Sequence, residues 1–257
     1  ISLDIYLPNR FCDGYGLGLS LLERINADVI ITVDNGIASH EAAHVCQERN
    51  IDLIITDHHT PKTTLPLALA IINPKRHDCS FPYKELCGAA VAWYFCAGLK
   101  KILQLDYDLK TLLDFVTIAT IADSVPLKSM NRLLCKVGMH YLNLQPRPCW
   151  MALRQTKPTL TFDDIAFNLA PKINSAGRLD DASLALQFLL APSLENALHH
   201  LNHLETLNNE RKLIEKTIFD EAKNLVDNSP PSPIILVYAP HWHEGVVGIV
   251  ASRLVDT

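Results

Sequence analysis

The sequence predicts an α/β fold: an open parallel sheet, a helical extension, a long connecting helix, and the start of a second α/β domain. Three observations carry this. Ala27–Val33 and Ile51–Thr56 are β-branched apolar runs of the kind found in strands buried on both faces, with a helix-patterned segment between them. From Cys87 onward, apolar residues recur at helical spacing. After the stiff stretch Ser229-Pro230-Pro231-Ser232-Pro233, Ile234–Tyr238 reads as a new strand.

Taken in order, Asp4-Ile5-Tyr6-Leu7-Pro8 reads as a strand that begins mid-sheet. Asp34-Asn35-Gly36 is a turn after the first buried strand, and Ser39 caps a helix over about 40–49, with Ala42, Ala43, Val45 and Cys46 inward. Strand, helix and strand at this spacing form a βαβ unit, which implies parallel strands and a right-handed crossover. Leu69–Ile72 is a third strand, ending at Asn73-Pro74. Helical segments follow near 88–103, 110–122, 130–143, 147–155 and 181–190. Ser193 then opens a pattern that continues to residue 226. Unbroken, it would span roughly 50 Å, although Asn208-Asn209 could interrupt it. The linker that follows favours a connecting helix over a core helix pair. Gly245–Thr257 reads as a final helix. The expected domains are 1–192, 193–233 and 234–257. The missing initiator Met and the character of both ends suggest a fragment of a longer protein.

Hydrophobic residues make up 48% of the 257 and charged residues 20%, which excludes a disordered chain. Lys plus Arg is 23 and Asp plus Glu 28, a net charge of −5. There is thus no global attraction to nucleic acid, and any polyanion site must be a local basic patch. No apolar run is long enough to span a bilayer, and Ile1-Ser2-Leu3-Asp4 is not a basic leader. The seven cysteines are scattered without a C-x-x-C pair, as expected of reduced, mostly buried thiols in a cytoplasm.

Two clusters sit directly after buried strands: Val33-Asp34-Asn35-Gly36 and Thr56-Asp57-His58-His59. Open α/β sheets bind ligands beyond the carboxyl ends of their strands, and neighbouring strands lie ~4.8 Å apart. Carboxylates with an imidazole suit a hard divalent ion such as Mn²⁺ or Mg²⁺ better than a structural zinc. A hydroxide bridging two such ions attacks phosphorus well. Singly, Asp34 is equally a turn or cap residue, and His58 equally a histidine bonded to a backbone carbonyl. Two histidines after an Asp, one βαβ unit beyond another strand-end Asp, favour a metal. Asp123 ends the apolar run Ile118–Ala122, where a lone carboxylate is costly unless paired or metal-bound; a turn beside Pro126 is the alternative.

Other features are weaker. Asn174-Ser175-Ala176-Gly177-Arg178-Leu179-Asp180-Asp181 offers small residues and the Arg178 fork for a phosphate, or an ordinary loop with a cap. Arg10, beside Phe11 and Tyr15, can seat a phosphate and stack a base, or mark a surface turn. Gly88, behind Cys87, opens a helix whose free N–H groups could bind phosphate; close helix packing serves equally. His241-Trp242-His243 could suggest a metal pair but has no third ligand.

Val33-Asp34-Asn35-Gly36, Thr56-Asp57-His58-His59 and Ala122-Asp123-Ser124-Val125-Pro126-Leu127 together resemble three motifs of the DHH phosphoesterase superfamily. Pro8-Asn9-Arg10-Phe11 with Asp13-Gly14-Tyr15-Gly16, Ile72-Asn73-Pro74, the run 174–181 and His243–Arg253 extend the likeness to its RecJ family of bacterial single-stranded-DNA exonucleases. The resemblance implies a two-metal 5′→3′ exonuclease releasing mononucleotides, in recombination and repair, with Mn²⁺ or Mg²⁺ as cofactor. Asp34 would bridge the ions, His58 and Asp123 would be ligands, and His59 would meet the scissile phosphate. Asp57 would orient the histidines; Arg178, Arg10, Asn174 and Gly88 would face the substrate. Single-stranded DNA would be the partner, with a single-strand-binding protein and a helicase beside it. Residues from about 234 would begin a DHHA1 domain. The family's earlier Asp-x-Asp strand and its C-terminal part are not in this sequence, so the isolated segment is expected to bind metal weakly and to be inactive. The alternatives are a DHH enzyme on short oligonucleotides or small phosphate esters, and a non-catalytic DNA-binding relative.

Overall fold

The structure, a computed structural model, describes residues 2–230 and 232–255. Ile1, Pro231 of the expected linker, and Asp256 and Thr257 of the expected final helix lie outside the described residues. The chain divides into two compact units, Ile1–Ala170 and Pro171–Thr257.

The first unit is built on a parallel sheet of β1 (Val29–Val33), β2 (Asp52–Thr56) and β3 (Ala70–Ile72), in that order. Ile31 pairs with Ile54, and Thr56 with both Val33 and Ile72, so the carboxyl ends of the three strands are level. Helices α1 (Leu19–Leu22) and α2 (His40–Glu48) supply Leu21, Leu22, Ala42, Ala43 and Cys46 to a core with Ile30, Leu53 and Ile55. The expectation that β1 is buried on both faces is wrong. Val29, Ile31 and Val33 are each nearly half exposed, because β1 is an edge strand and this core takes only the face carrying Ile30. Nor is there a strand at 4–8: no neighbouring strand supplies the hydrogen bonds it would need.

The sheet is followed by α3 (Gly88–Leu103), a 3₁₀ turn (Leu109–Leu112), α4 (Leu113–Ala122), α5 (Ser129–Leu144), α6 (Pro148–Arg154) and a π-helical stretch (Asp164–Leu169). The first three helices share a core of Ala90, Val91, Leu113, Val116 and Leu134. Helices α4 and α5 meet most closely at Gly138. A Cβ there would lie 1.9 Å from Thr117 Oγ1 and 2.1 Å from the Leu113 carbonyl oxygen. Gly138→Ala should therefore cost about 1–3 kcal/mol by overpacking, although alanine is the better helix former. Gly98, exposed on α3 with nothing within 4 Å of its would-be Cβ, is the opposite case. Gly98→Ala should stabilise by about 0.5–1 kcal/mol. Urea unfolding of the two variants measures both, and equal midpoints would refute the packing argument.

The second unit contains α7 (Ala170–Leu179) from its second residue on, α8 (Ser183–Leu189), α9 (Leu194–Asp227) and α10 (Glu244–Val255). Ser193 Oγ accepts from the Asn196 amide and caps α9, as the sequence implies. The helix then runs 34 residues without a break, about 51 Å. Asn208 does not interrupt it, because its side-chain oxygen is taken by Arg211 Nε and Nη2 at 3.3 and 3.2 Å. Ile218 and Ala222 of α9 form a core with Val246 and Val250 of α10, and α8 packs along the same helix. The long helix is thus the spine of this unit rather than a link outside it. For the same reason the compact unit begins at 171 instead of at 193. The expected strand at 234–238 does not form. Ile234, Leu236 and Tyr238 are exposed, and no strand lies beside them to pair with; Val237 alone packs on the α9–α10 core. Among the described residues no helix is long and apolar enough to cross a membrane.

Candidate metal centre

The site of interest lies at the carboxyl ends of β1 and β2. The ladder runs one residue past β1, where the Asp34 amide donates to the Thr56 carbonyl at 2.9 Å. It also runs past β2, where the Asp57 amide donates to Ile72 at 3.0 Å. Asp34 is therefore held on the backbone of the neighbouring strand while its φ is +65°, a left-handed conformation that Asp tolerates better than most residues. Thr32 Oγ1 donates to the Asn35 carbonyl at 2.7 Å, and Asn35 Nδ2 donates to the Val33 carbonyl at 2.9 Å. These bonds close the turn and direct Asp34 over the end of the sheet.

His58 is buried, and Asp34 Oδ1 lies 3.0 Å and Asp123 Oδ2 3.4 Å from its Nε2. Neither approach completes a hydrogen bond, and both ring nitrogens are buried without a hydrogen-bond partner. One ligand atom each of Asp34, His58 and His59 lie within 4.8 Å of one another. Contact with the Asp34 carboxylate raises the His58 pKa against the opposing effect of burial, and the Asp123 charge adds to the rise. Burial raises the Asp123 pKa, and the nearby Asp34 charge raises it further, with His58 opposing. Asp123 also caps the C-terminus of α4, the negative end of that helix. Two carboxylates converging on one nitrogen of a buried imidazole would pair with a protonated ring and equally suit a divalent cation in place of the proton. Oxygen donors with one nitrogen fit Mn²⁺ or Mg²⁺. A proton and a cation would compete for His58 Nε2.

Asp57 is different in kind. Burial pushes its pKa up, but hydrogen bonds outweigh burial and hold it below the usual carboxylate range. Oδ2 accepts from the Ile37 amide at 2.9 Å. Oδ1 accepts from the His58 amide at 2.7 Å and the His59 amide at 3.1 Å, and His59 Nδ1 lies 2.7 Å away. Its oxygens are occupied, so it shapes the loop and sets the His59 ring, whose side chain is 59% exposed.

Residues 1–120 match the model of the DHH family, N-terminal domain. Over these residues the chain is similar to the DHH family. The chain is 40% identical to the single-stranded-DNA-specific exonuclease RecJ of Escherichia coli (strain K12), over 98% of the chain and 48% of that protein. It is 33% identical to RecJ of Thermus thermophilus, over 98% of the chain and 37% of that protein. It thus spans about half or less of the length of these relatives. Among solved structures, exonuclease RecJ bound to manganese superposes with a TM-score of 0.86 at 32% identity, covering 98% of this chain and 64% of that one. RecJ of Thermus thermophilus in complex with Mn²⁺ superposes with a TM-score of 0.80 at 32% identity, covering 90% of this chain and 35% of that one.

Other residues also shape this site. Asn73 is buried after β3; its Nδ2 donates to the His59 carbonyl at 2.9 Å and its Oδ1 accepts from the Lys75 amide. The sequence marked it only as part of the Ile72-Asn73-Pro74 motif, with no role attached. Asn131 of α5 is fully buried and donates to the Glu85 and Pro126 carbonyls, which fixes the loop behind Asp123. Gly88 does not present an open helix end. It is buried, and its α-carbon faces the Asp34 carboxylate. Gly16 lies against Asn35, so the turn carrying Arg10 and Tyr15 borders the Asp34 turn; the Arg10 guanidinium is 5.3 Å from the Tyr15 ring centre.

Asn174 and Arg178 lie in the second unit, and the loop expected around them is not there. Asn174 to Leu179 continue α7, where Ser175 and Ala176 are fully buried, so the small residues serve helix packing. Arg178 Nη1 donates to the Gly245 carbonyl at 3.1 Å. His241 and Trp242 both bond Glu221 of α9 at 2.8 Å, which accounts for that motif as a clamp on the helix instead of a metal pair. All seven cysteines are free, and burial pushes the Cys135 and Cys149 thiols up to about 11 and about 12, so they stay protonated and inert.

Proposed function

We propose that the protein carrying this chain is a metal-dependent 5′→3′ exonuclease that hydrolyses single-stranded DNA to mononucleotides in recombination and repair. The observation that carries this reading is the meeting of Asp34, His58 and Asp123 around an imidazole without a hydrogen bond. The similarity to RecJ over nearly the whole chain gives the substrate class. Asp34, His58 and Asp123 would hold Mn²⁺ or Mg²⁺. A bound cation there would neutralise phosphate charge and lower the pKa of water at neutral pH.

The chain's own groups have separable tasks in this reading. Asp57 keeps the His59 ring in one orientation, and the exposed ring is free to meet a phosphate oxygen. Arg10 and Tyr15, beside the Asp34 turn, suit a terminal phosphate and its base. Arg178 is read as a phosphate contact, its planar fork matching phosphate geometry. With a net charge of −5, the chain has no global attraction for DNA, and local cations such as these supply the electrostatic part of binding.

The test is digestion by the full-length protein of a long strand labelled at its 5′ end, against duplex DNA and a dinucleotide. Mononucleotides should appear from the single strand alone, stop with a chelator and return with Mn²⁺. Hydrolysis confined to the dinucleotide would move the enzyme to the small-substrate DHH class. Chelator-resistant cleavage would dismiss the metal centre.

A further inference from the structure

We infer that Gly88 is a positioning residue for the metal centre: the missing side chain at the start of α3 is what lets the Asp34 carboxylate reach His58. The inference rests on the metal-centre reading above and adds a residue to it. A Cβ at position 88 would lie 2.1 Å from Asp34 Oδ1, 2.4 Å from its Cβ and 2.5 Å from its Cγ. Rotating the Asp34 side chain could free the oxygen but not the β-carbon, which is fixed by the backbone. That backbone is fixed in turn by the amide bond to Thr56 and by the left-handed turn. The helix cannot easily retreat either. Cys87 Sγ lies 3.3 Å from Thr120 Oγ1 on α4, one turn before Asp123. The Cys87-Gly88 pair therefore touches the elements that deliver both carboxylates, and a side chain at 88 would push them apart.

Helix propensity argues the other way, which makes the inference testable by sign. Gly88 has no positive φ, and alanine suits the first turn of a helix better than glycine does. If position 88 were only a helix start, Gly88→Ala would be neutral or stabilising. If it seats Asp34, the same change should lower the melting temperature of the metal-free chain and weaken Mn²⁺ binding by about tenfold or more, the scale seen when a metal ligand loses its support.

The experiment uses the full chain, with Mn²⁺ affinity from the electron paramagnetic resonance of free ion and melting followed by circular dichroism. The variants are Gly88→Ala, Gly98→Ala, Asp34→Gly and the double variant Asp34→Gly with Gly88→Ala. Glycine suits the +65° φ of position 34 and removes the three atoms nearest to a methyl group at position 88. Gly98→Ala should bind Mn²⁺ as the wild type does. In the Asp34→Gly background, Gly88→Ala should cost no stability and weaken the residual Mn²⁺ binding no further. Wild-type Mn²⁺ affinity in Gly88→Ala, or an equal loss in both backgrounds, would overturn the inference. A wild-type chain that binds no Mn²⁺ would instead strike at the metal-centre reading. The melting cycle alone would then decide whether Gly88 seats Asp34.

Discussion

Asp34→Asn in the full-length protein should reduce nuclease turnover by about a thousandfold or more while leaving affinity for single-stranded DNA nearly unchanged. The size follows from losing a charged ligand: metal stabilisation of a transition state is worth several kcal/mol, and each ~1.4 kcal/mol is tenfold in rate. Asparagine is the informative replacement. It has the volume of aspartate and tolerates the left-handed φ of +65° at this position, so backbone strain does not enter the comparison. It also removes both the like charge that helps raise the Asp123 pKa and the carboxylate that raises the His58 pKa, so the consequences for the metal-free variant oppose each other and its melting point should move little. Single-turnover kinetics with saturating Mn²⁺, together with a DNA-binding titration, separate the two effects. Near-normal turnover would remove Asp34 from the site; equal losses of turnover and affinity would make it a DNA contact.

The largest stability loss is expected far from the metal. Asp114, at the start of α4, is fully buried. Its Oδ2 accepts from Arg147 Nε at 2.7 Å and Trp150 Nε1 at 2.8 Å, and its Oδ1 accepts from the Phe115 amide at 2.8 Å. Arg147 also lies over the Phe115 ring, 4.7 Å from its centre. Asp114→Ala would leave Arg147 Nε and the buried indole N–H without their acceptor, while Arg147 Nη2 keeps the Thr111 carbonyl. Removing one partner of a buried pair costs about 3–5 kcal/mol. At about 2–4 °C per kcal/mol for a unit of this size, the melting point should fall by roughly 10 °C. Asp78→Ala, which breaks an exposed pair with Arg76, should shift it little. Since α4 carries Asp123 at its other end, Asp114→Ala should also loosen Mn²⁺ binding. An unchanged melting point would show that α4 is held by apolar packing alone.

These two residues differ in how far they could be read beforehand. Asp34 stands at the end of an apolar β-branched run, one βαβ unit before Asp57-His58-His59, and strand spacing alone sets the two turns side by side. Asp114 lies in a segment that reads only as helical. Its partners, Arg147 and Trp150, come more than thirty residues later and carry no pattern that points back to it. Arg178 shows the reverse error. Its small neighbours suggest an open loop, and Ser175 and Ala176 are buried because small residues also allow helices to pack closely.

By itself, then, the amino-acid order determined the parallel strands, most of the helices and the carboxylate and imidazole groups at the strand ends. Each of these depends on contacts within one turn, one strand or one short crossover. Only the tertiary structure decided that Asp123 reaches His58, that Gly88 clears the space for Asp34, that β1 keeps one face open, and that residues 234–238 stay unpaired. Those outcomes depend on which surfaces α3, α4 and the sheet present to one another. Side-chain periodicity reports which face of an element is apolar; it does not report which distant element will meet it.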